Sequence, residues 1–170
     1  MTATDSLTIP PEIFRSVLGR VPTGVMVVTT RTPTGQQART ANSFTSVSLD
    51  PPLVSVCFSE KSPFTAALLA SGLWGVSVLA ADQHELSVHF AHRLSTKDLS
   101  GIPHTIGPRT GAALLTESVA TLECRSVLAY PAGDHTLLIA AVLALLPRRD
   151  ETPLVFYRGH YHDIGAHVPR

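Results

Sequence analysis

Three short segments of this 170-residue chain carry side chains suited to ligand chemistry. The segment TANSFTSVS, from Thr40 to Ser48, concentrates small hydroxyl side chains around one amide. The segment SEKSPFT places Lys61 and Ser62 before a predicted helix, and the segment GDH ends on His135. Because the sequence contains neither a Gly-x-Ser-x-Gly nucleophile elbow nor a Gly-rich phosphate loop, these residues favour binding and orienting a ligand over covalent catalysis.

The first segment has two interpretations. As one wall of a concave site, its alternating hydroxyls, the Asn42 amide and the intervening backbone N–H groups suit a planar heterocycle with several donors and acceptors on its edge, such as a flavin ring. As an exposed strand face, the same side chains would be solvated and would carry no function. The residues of this segment alone leave both interpretations open.

The second and third segments suit the charged and amide groups of such a ligand. Lys61, Ser62 and Thr65, together with the unpaired N–H groups of a helix start, form a candidate phosphate site. The alternative is an ordinary Ser-Pro helix cap with a solvated lysine. His135 is placed to donate to a phosphate, a carboxamide or a reacting atom, or it is simply the residue that follows a turn.

Metal and thiol chemistry are not favoured by the remaining candidates. Five histidines lie in two segments without a known ligand spacing, so no metal site is predicted: His84, His89, His92, His160 and His162. Cys57 and Cys124 lie in apolar, strand-like segments, which predicts buried free thiols rather than a disulfide or a redox pair.

The charge balance narrows the class of ligand. Lysine and arginine total 13, aspartate and glutamate total 13, and the formal net charge is zero. Scattered basic residues without net charge argue against nucleic-acid binding and favour a small neutral or anionic ligand. A charged fraction of 15% also favours association between copies of the chain.

The sequence predicts a soluble, cytoplasmic protein without membrane association. The N-terminal residues lack the basic and apolar regions of a secretory signal. The longest apolar run, Leu137 to Leu146, is too short to span a bilayer as a helix.

The hydrophobic pattern predicts one domain over residues 10–170 after a flexible arm over residues 1–9. Helices are expected to begin at Pro11, Pro63 and Ala81, the second with Ser62 as N-cap and Gly72 as its stop. Strands are expected over 24–30, 39–52, 53–58, 73–79, 118–130, 135–146 and 153–158. Six or seven strands joined mostly by hairpins, with helices packed outside, indicate an α+β fold built on an antiparallel barrel and not a Rossmann-type sheet.

Six segments in this order resemble the flavin reductase-like family of FMN-binding split barrels: TANSFTSVSLDPPLV, SPFTAALLASG, GVSVLAADQHELSVHFA, ATLEC, GDHTLLIAAV and PLVFYRGHYHDI. The family consists of short-chain reductases that supply reduced flavin to two-component monooxygenases. The resemblance implies an α+β fold with an antiparallel split β-barrel and flanking helices, and a homodimer with flavin near the subunit interface. Two positions depart from the family pattern, Ala38 and His92, where glycine is usual.

The resemblance also implies roles for individual residues. Contacts to the flavin are implied for Thr40, Ala41, Asn42, Ser43, Ser46, Val47, Ser48 and Cys57, with Ser62 and Thr65 near its phosphate and Phe90 and Ala91 near the adenosine of FAD. His135 and Tyr161 would hold the nicotinamide cofactor. His135 is the one residue given a catalytic role, which is to orient the nicotinamide rather than to act as an obligatory base.

The predicted activity is that of an NAD(P)H:flavin oxidoreductase of the EC 1.5.1 type. It would reduce FAD or FMN by hydride transfer, with NADH favoured over NADPH, and supply diffusible reduced flavin to a partner monooxygenase. Two alternatives stay open: a flavin-dependent oxidase with tightly bound FMN, and a non-catalytic flavin-binding electron carrier.

Overall fold

The computed structural model describes residues 9–91 and 99–165. Its helices are α1 (Pro11–Leu18), α2 (Pro63–Ser71) and α3 (His84–Ala91), the last entered through a 3-10 turn over Ala81–Gln83. Its strands are β1 (Thr23–Gly24), β2 (Met26–Thr32), β3 (Gly35–Ala41), β4 (Thr45–Leu49), β5 (Pro52–Ser59), β6 (Leu73–Val78), β7 (His104–Ile106), β8 (Ala113–Leu115), β9 (Ala120–Ala132), β10 (His135–Pro147), β11 (Val155–Tyr157) and β12 (His160–His162). The predicted arm over residues 1–9 lies outside the described residues except for Ile9.

Seven strands form one antiparallel sheet in the order β3-β2-β6-β9-β10-β5-β4. Its two edge strands, β3 and β4, follow one another in the chain and are joined by only three residues, 42–44. Such a short connection between opposite edges requires the sheet to curl into a barrel that stays open between β3 and β4. The predicted α+β fold with an antiparallel split barrel is confirmed.

The continuous apolar run in β2 is explained by burial on both faces of the strand. Val27 and Val28 point to opposite faces and are both fully buried. Val28 packs with Trp74 in a cluster shared by the large sheet and α2, whereas Val27 packs with Phe90 in a second cluster beneath α3. These two clusters fix α2 and α3 against the barrel.

Two smaller sheets complete the fold. β11 and β12 form a hairpin, and β1 pairs with β11, so the chain before β2 and the chain near the C-terminus meet. β7 and β8 form a second hairpin. These three-residue strands β7, β8 and β12 were not predicted, because segments so short show too little alternation to be recognised.

The predicted boundaries of α2 agree with the structure. Ser62 occupies the N-cap position with extended backbone angles, and Pro63 is the first helical residue. Gly72 ends the helix at φ 64°, a left-handed conformation that glycine adopts without the steric penalty of a Cβ atom. Its N–H donates to the Leu68 carbonyl at 2.9 Å.

The prediction of one continuous strand over 39–52 is wrong. The chain leaves β3 after Ala41, turns through residues 42–44 and re-enters the sheet as β4 on the opposite edge. A turn at Asp50–Pro51, whose peptide bond is cis, then leads into β5. The hydroxyl-rich segment therefore forms a corner between two strands and not a single strand face.

Burial in β9 does not follow the polarity of its alternating side chains. Thr121 and Glu123 lie on the more polar face of the alternating pattern, but both are buried. Glu123 Oε2 accepts hydrogen bonds from the Arg109 N–H at 2.8 Å and from the Thr110 N–H at 2.7 Å. The loop after β7 therefore covers the carboxylate and satisfies it.

The helices do not all pack on the barrel as predicted. The apolar face of α1 forms as expected, yet none of its residues is buried. Phe14 on that face is 55% exposed. Within the described residues, no helix is long and apolar enough to cross a membrane.

Candidate functional site

A cavity of about 630 Å³ opens at the corner between β3 and β4. The corner forms one wall, and the start of α2, the start of β10, α3 and β12 form the others. Nine of the predicted site residues line this cavity: Thr40, Ala41, Asn42, Ser43, Cys57, Ser62, Ala91, His135 and Tyr161. Residues from six elements that are far apart in the sequence thus meet around one space of ligand size.

Ser43 fixes the corner through its side chain. Its hydroxyl donates to the Cys57 carbonyl at 2.9 Å and accepts from the Cys57 N–H at 3.0 Å. These two bonds continue the β4–β5 ladder beyond the Thr45–Ser55 pair, with a side chain in place of the main chain. Because the Ser43 hydroxyl serves the backbone, Asn42 carries the exposed polar group of the corner.

Thr40 and Tyr161 are held by the same residue of α3. The Thr40 hydroxyl donates to the Ser87 carbonyl at 2.7 Å. The Ser87 hydroxyl lies 2.8 Å from the Tyr161 hydroxyl. The β3 wall and the β12 wall are therefore both attached to α3.

The start of α2 forms the positively polarised end of the cavity. Ser62 is the N-cap residue, but its side chain makes no capping hydrogen bond, and it lines the cavity together with the exposed Lys61. Pro63 has no N–H, and the Thr65 N–H already donates to the Ser62 carbonyl at 3.0 Å, so the helix dipole and the Lys61 ammonium group are what favour an anion here. The phosphate site at this helix start therefore stays a prediction, with Lys61 and Ser62 as its candidate residues.

His135 stands at the start of β10, across from α2. Its Nδ1 lies 2.7 Å from Asp134 Oδ1. The hydrogen bond and charge of His135 lower the pKa of Asp134, so that carboxylate is an acceptor only and Nδ1 carries the proton. The other ring nitrogen, Nε2, is then the one that can meet a ligand.

The two thiols are free, and neither is poised as a nucleophile. Cys57 was predicted to be buried but is only half-buried, because it faces the cavity. Partial burial raises its pKa. Cys124 is buried as predicted, and burial raises its pKa to about 12. Both groups stay protonated near neutral pH, and a thiol is a far weaker nucleophile than a thiolate.

Five predicted site residues lie away from this cavity: Ser46, Val47, Ser48, Thr65 and Phe90. The first three are on β4, beyond the corner. The Thr65 hydroxyl donates to the Ser59 carbonyl at 2.7 Å and secures the entry to α2. Phe90 points into the core beneath α3.

Several cavity residues were missed in the sequence. Ser87 lies four residues before Ala91, so the helical period places both on one face of α3, and this spacing is a signal that could have identified it. Phe156 pairs directly with Tyr161 across β11 and β12. Arg39 and Asp134 also line the cavity.

The described residues contain no group of three or more histidine, cysteine, aspartate or glutamate side chains that could hold a metal ion. His92, one of the five histidines considered above, lies outside the described residues. The absence of a metal site therefore stays a prediction.

Comparison with known proteins covers nearly the whole chain. The model of the flavin reductase-like domain matches residues 18–165. An NADH-dependent flavin reductase of a Rhodococcus species is 38% identical over 159 residues, which cover 92% of this chain and 88% of that protein. HsaB, the reductase subunit of a flavin-dependent monooxygenase of Rhodococcus jostii, is 38% identical over 156 residues, covering 92% and 79%.

A solved structure extends the similarity to the fold. It is that of the Streptomyces globisporus C-1027 NADH:FAD oxidoreductase SgcE6 in complex with NAD and FAD fragments. The two chains are 34% identical and superpose with a TM-score of 0.86, covering 93% of this chain and 96% of the other.

Proposed function

The chain belongs to the flavin reductase-like family, and we propose that it is an NADH-dependent flavin reductase that supplies reduced flavin to a separate monooxygenase component. The proposal includes an activity of the EC 1.5.1 type, FAD or FMN as the flavin, and action in the cytoplasm. The observation that carries the proposal is the cavity itself. A polar corner, a helix start with Lys61, and His135 surround one space.

The described residues fit both ligands. The small side chains of Ala41 and Ser43 leave room for a ring against the corner, and Asn42 and the backbone can reach its polar edge. Lys61 and Ser62 suit a flavin phosphate. His135 and Tyr161 line the same cavity and can hold the nicotinamide. When both are bound, the nicotinamide and the flavin supply the chemistry, which is hydride transfer from nicotinamide C4 to flavin N5.

The chain's own contribution is alignment. Two rings held in contact react without a protein nucleophile, so the protonated Cys57 thiol and the absence of a nucleophile motif in the sequence agree with this reaction. His135 orients the nicotinamide through Nε2 and is not required as a base. Asn42 and Lys61 line the cavity and are exposed, which agrees with a flavin that binds and leaves as a substrate.

The direct test is NADH oxidation by the purified protein with FAD, FMN or riboflavin added in turn, followed by the loss of NADH absorbance, and repeated with NADPH. We expect turnover with an added flavin, a preference for NADH, and a pale protein after gel filtration. Stoichiometric flavin retained through purification would instead favour the oxidase with fixed FMN. Flavin binding without NADH oxidation would favour the electron carrier.

We also propose that the protein is a homodimer whose interface covers two of the apolar surfaces left exposed in one chain. One is the α1 face that includes Phe14 and Val17. The other is the outer part of β9 around Leu128, which lies beyond Arg125, the last β9 residue paired with β6. A second copy of the chain is the favoured occupant of these surfaces. Each copy has a formal net charge of zero, so two copies do not repel one another strongly.

The dimer proposal is tested by sedimentation velocity. Phe14→Lys should shift the protein towards the monomer, whereas Val88→Lys, at a comparably exposed position on α3, should leave the dimer intact. A wild-type monomer, or equal effects of the two substitutions, would contradict the proposal.

A further inference from the structure

Ser87 occupies an unusual place because it joins both walls of the cavity through two different groups. Its carbonyl accepts the Thr40 hydroxyl from β3, and its own hydroxyl contacts the Tyr161 hydroxyl on β12. The Ser87 side chain is completely buried, at 0% exposure, while Tyr161 is only half-buried. The side chain of Ser87 thus acts on Tyr161 alone, and its backbone acts on Thr40.

The burial of the Ser87 hydroxyl determines which residue donates in the Ser87–Tyr161 hydrogen bond. Among the described residues, the only hydrogen-bond partner of the Ser87 hydroxyl is Tyr161. A buried hydroxyl proton without an acceptor is costly, and no solvent reaches this one. Ser87 therefore donates to the Tyr161 oxygen. The proton of Tyr161 is not used in that bond and stays available to an acceptor in the cavity.

Of the groups around Tyr161, it is Ser87 that sets the direction of the Tyr161 O–H bond. Its ring centroid is 5.4 Å from that of Phe156 and 6.4 Å from that of His84. These neighbours hold the plane of the ring but do not set the rotation of its O–H bond. Because one lone pair of the oxygen is occupied by the Ser87 proton, the phenolic proton is restricted to the remaining directions.

We propose that Ser87 is a positioning residue for the nicotinamide substrate: by donating to the Tyr161 oxygen, it directs the Tyr161 proton towards the carboxamide oxygen of the reduced nicotinamide. This inference rests on the proposed function, since it assigns a partner to the electron donor of that reaction. Ser87 itself touches Tyr161 and not the reacting atoms.

The test compares Ser87→Ala with Tyr161→Phe, with their double variant and with a matched control. The control is Ser118→Ala, because Ser118 is also 0% exposed and its hydroxyl also makes one hydrogen bond of 2.8 Å, to the Leu115 carbonyl outside the cavity. Steady-state KM values are measured separately for NADH and for the flavin, together with Tm.

We expect Ser87→Ala to raise the NADH KM about fivefold, the ratio for a hydrogen bond of ordinary strength. The flavin KM should not change, because the substitution keeps the Ser87 carbonyl that holds Thr40. Tyr161→Phe should raise the NADH KM at least as much. The double variant should be no worse than Tyr161→Phe alone, since the two residues act through one proton.

A substrate analogue separates this role from a structural one. In reduced thionicotinamide adenine dinucleotide, the carboxamide oxygen is replaced by sulfur, a weaker acceptor. The KM difference between wild type and Ser87→Ala should shrink with this analogue, whereas a packing defect would persist.

The outcomes distinguish this inference from the proposed function. A wild type that oxidises no NADH with any flavin overturns the proposed function. An active wild type in which Ser87→Ala behaves like Ser118→Ala, raises both KM values equally, or adds its effect to that of Tyr161→Phe overturns the role of Ser87 alone.

Discussion

Replacing His135 by alanine is the most direct test of how the cavity holds the nicotinamide. His135 begins β10 at the cavity, and Asp134 occupies its Nδ1. The substitution therefore removes Nε2, the ring nitrogen left for a ligand. It leaves intact the residues at the start of α2 and at the β3–β4 corner, where we place the flavin.

The size of the expected rise in the NADH KM depends on how exposed the His135 side chain is. One net hydrogen bond contributes about 0.5–1.5 kcal/mol, and more when one partner is charged. The His135 side chain is 46% exposed, so water can partly replace it, and we take about 1 kcal/mol. Since 1.4 kcal/mol corresponds to a factor of ten, the NADH KM should rise about fivefold.

The assay measures initial rates of NADH oxidation with one substrate varied at saturating concentrations of the other. His135→Gln is the informative companion variant, because its side-chain amide places a polar group near the former position of Nε2 and should recover part of the loss. His160→Ala is the matched control, since His160 is also exposed but lies outside the cavity. It should behave as wild type.

Two results would refute this reasoning. An unchanged NADH KM in His135→Ala would show that Nε2 does not meet the nicotinamide. A flavin KM that rises as much as the NADH KM would show that His135 belongs to the flavin wall.

Three further predictions concern charge, backbone and burial. Because its partner His135 lowers the pKa of Asp134, the carboxylate should stay ionised above about pH 4, the ordinary pKa of aspartate, and their contact should be lost only as pH falls through the lowered pKa. An NMR titration of the Asp134 carboxyl group should therefore give a lower midpoint in wild type than in His135→Ala, and equal midpoints would contradict the contact. Gly72→Ala forces a Cβ atom into the left-handed region and should lower the free energy of unfolding by about 1–2 kcal/mol in urea titrations, whereas Gly72→Asn should cost less. Glu123→Ala removes the acceptor of three hydrogen bonds at a residue that is 3% exposed, and should lower the free energy of unfolding by about 3 kcal/mol. Both KM values should stay unchanged, because Glu123 lies outside the cavity. A rise in either KM would show that the loop after β7 acts on the site.

Local sequence determined most of the individual elements. Alternation identified β9, the turn that links β9 to the next apolar run identified β10 as its hairpin partner, and β-branched residues identified β2. Ser62, Pro63 and Gly72 marked the two ends of α2, because capping and left-handed conformations depend on residues within one turn. The motifs in their order also indicated the family, since each retains recognisable residues at its own position.

Tertiary structure decided where those elements meet. The corner after Ala41 converts one predicted strand into two edge strands of a curled sheet, and this removes Ser46 from the cavity wall while it brings Asn42 and Ser43 in. Glu123 looks solvent-facing by alternation, but the loop after β7 buries it. Neither result follows from the alternation of side chains along one segment, because both depend on which distant segments pack against each other in the folded chain.

The site shows the same division. The segments around Thr40, Ser62 and His135 were visible as candidates, because small hydroxyls, a helix start and a histidine after a turn are recognisable in short windows. The bond between Ser87 and Tyr161 joins residues 74 positions apart. Nothing local to α3 or β12 encodes that pairing. It forms because Phe156 and Tyr161 also pack against the core cluster around Phe90, which holds α3 and the small sheet against the same side of the barrel. The sequence by itself determined the chemical groups of the site, and the packing of the barrel decided which of them are hydrogen-bonded to each other.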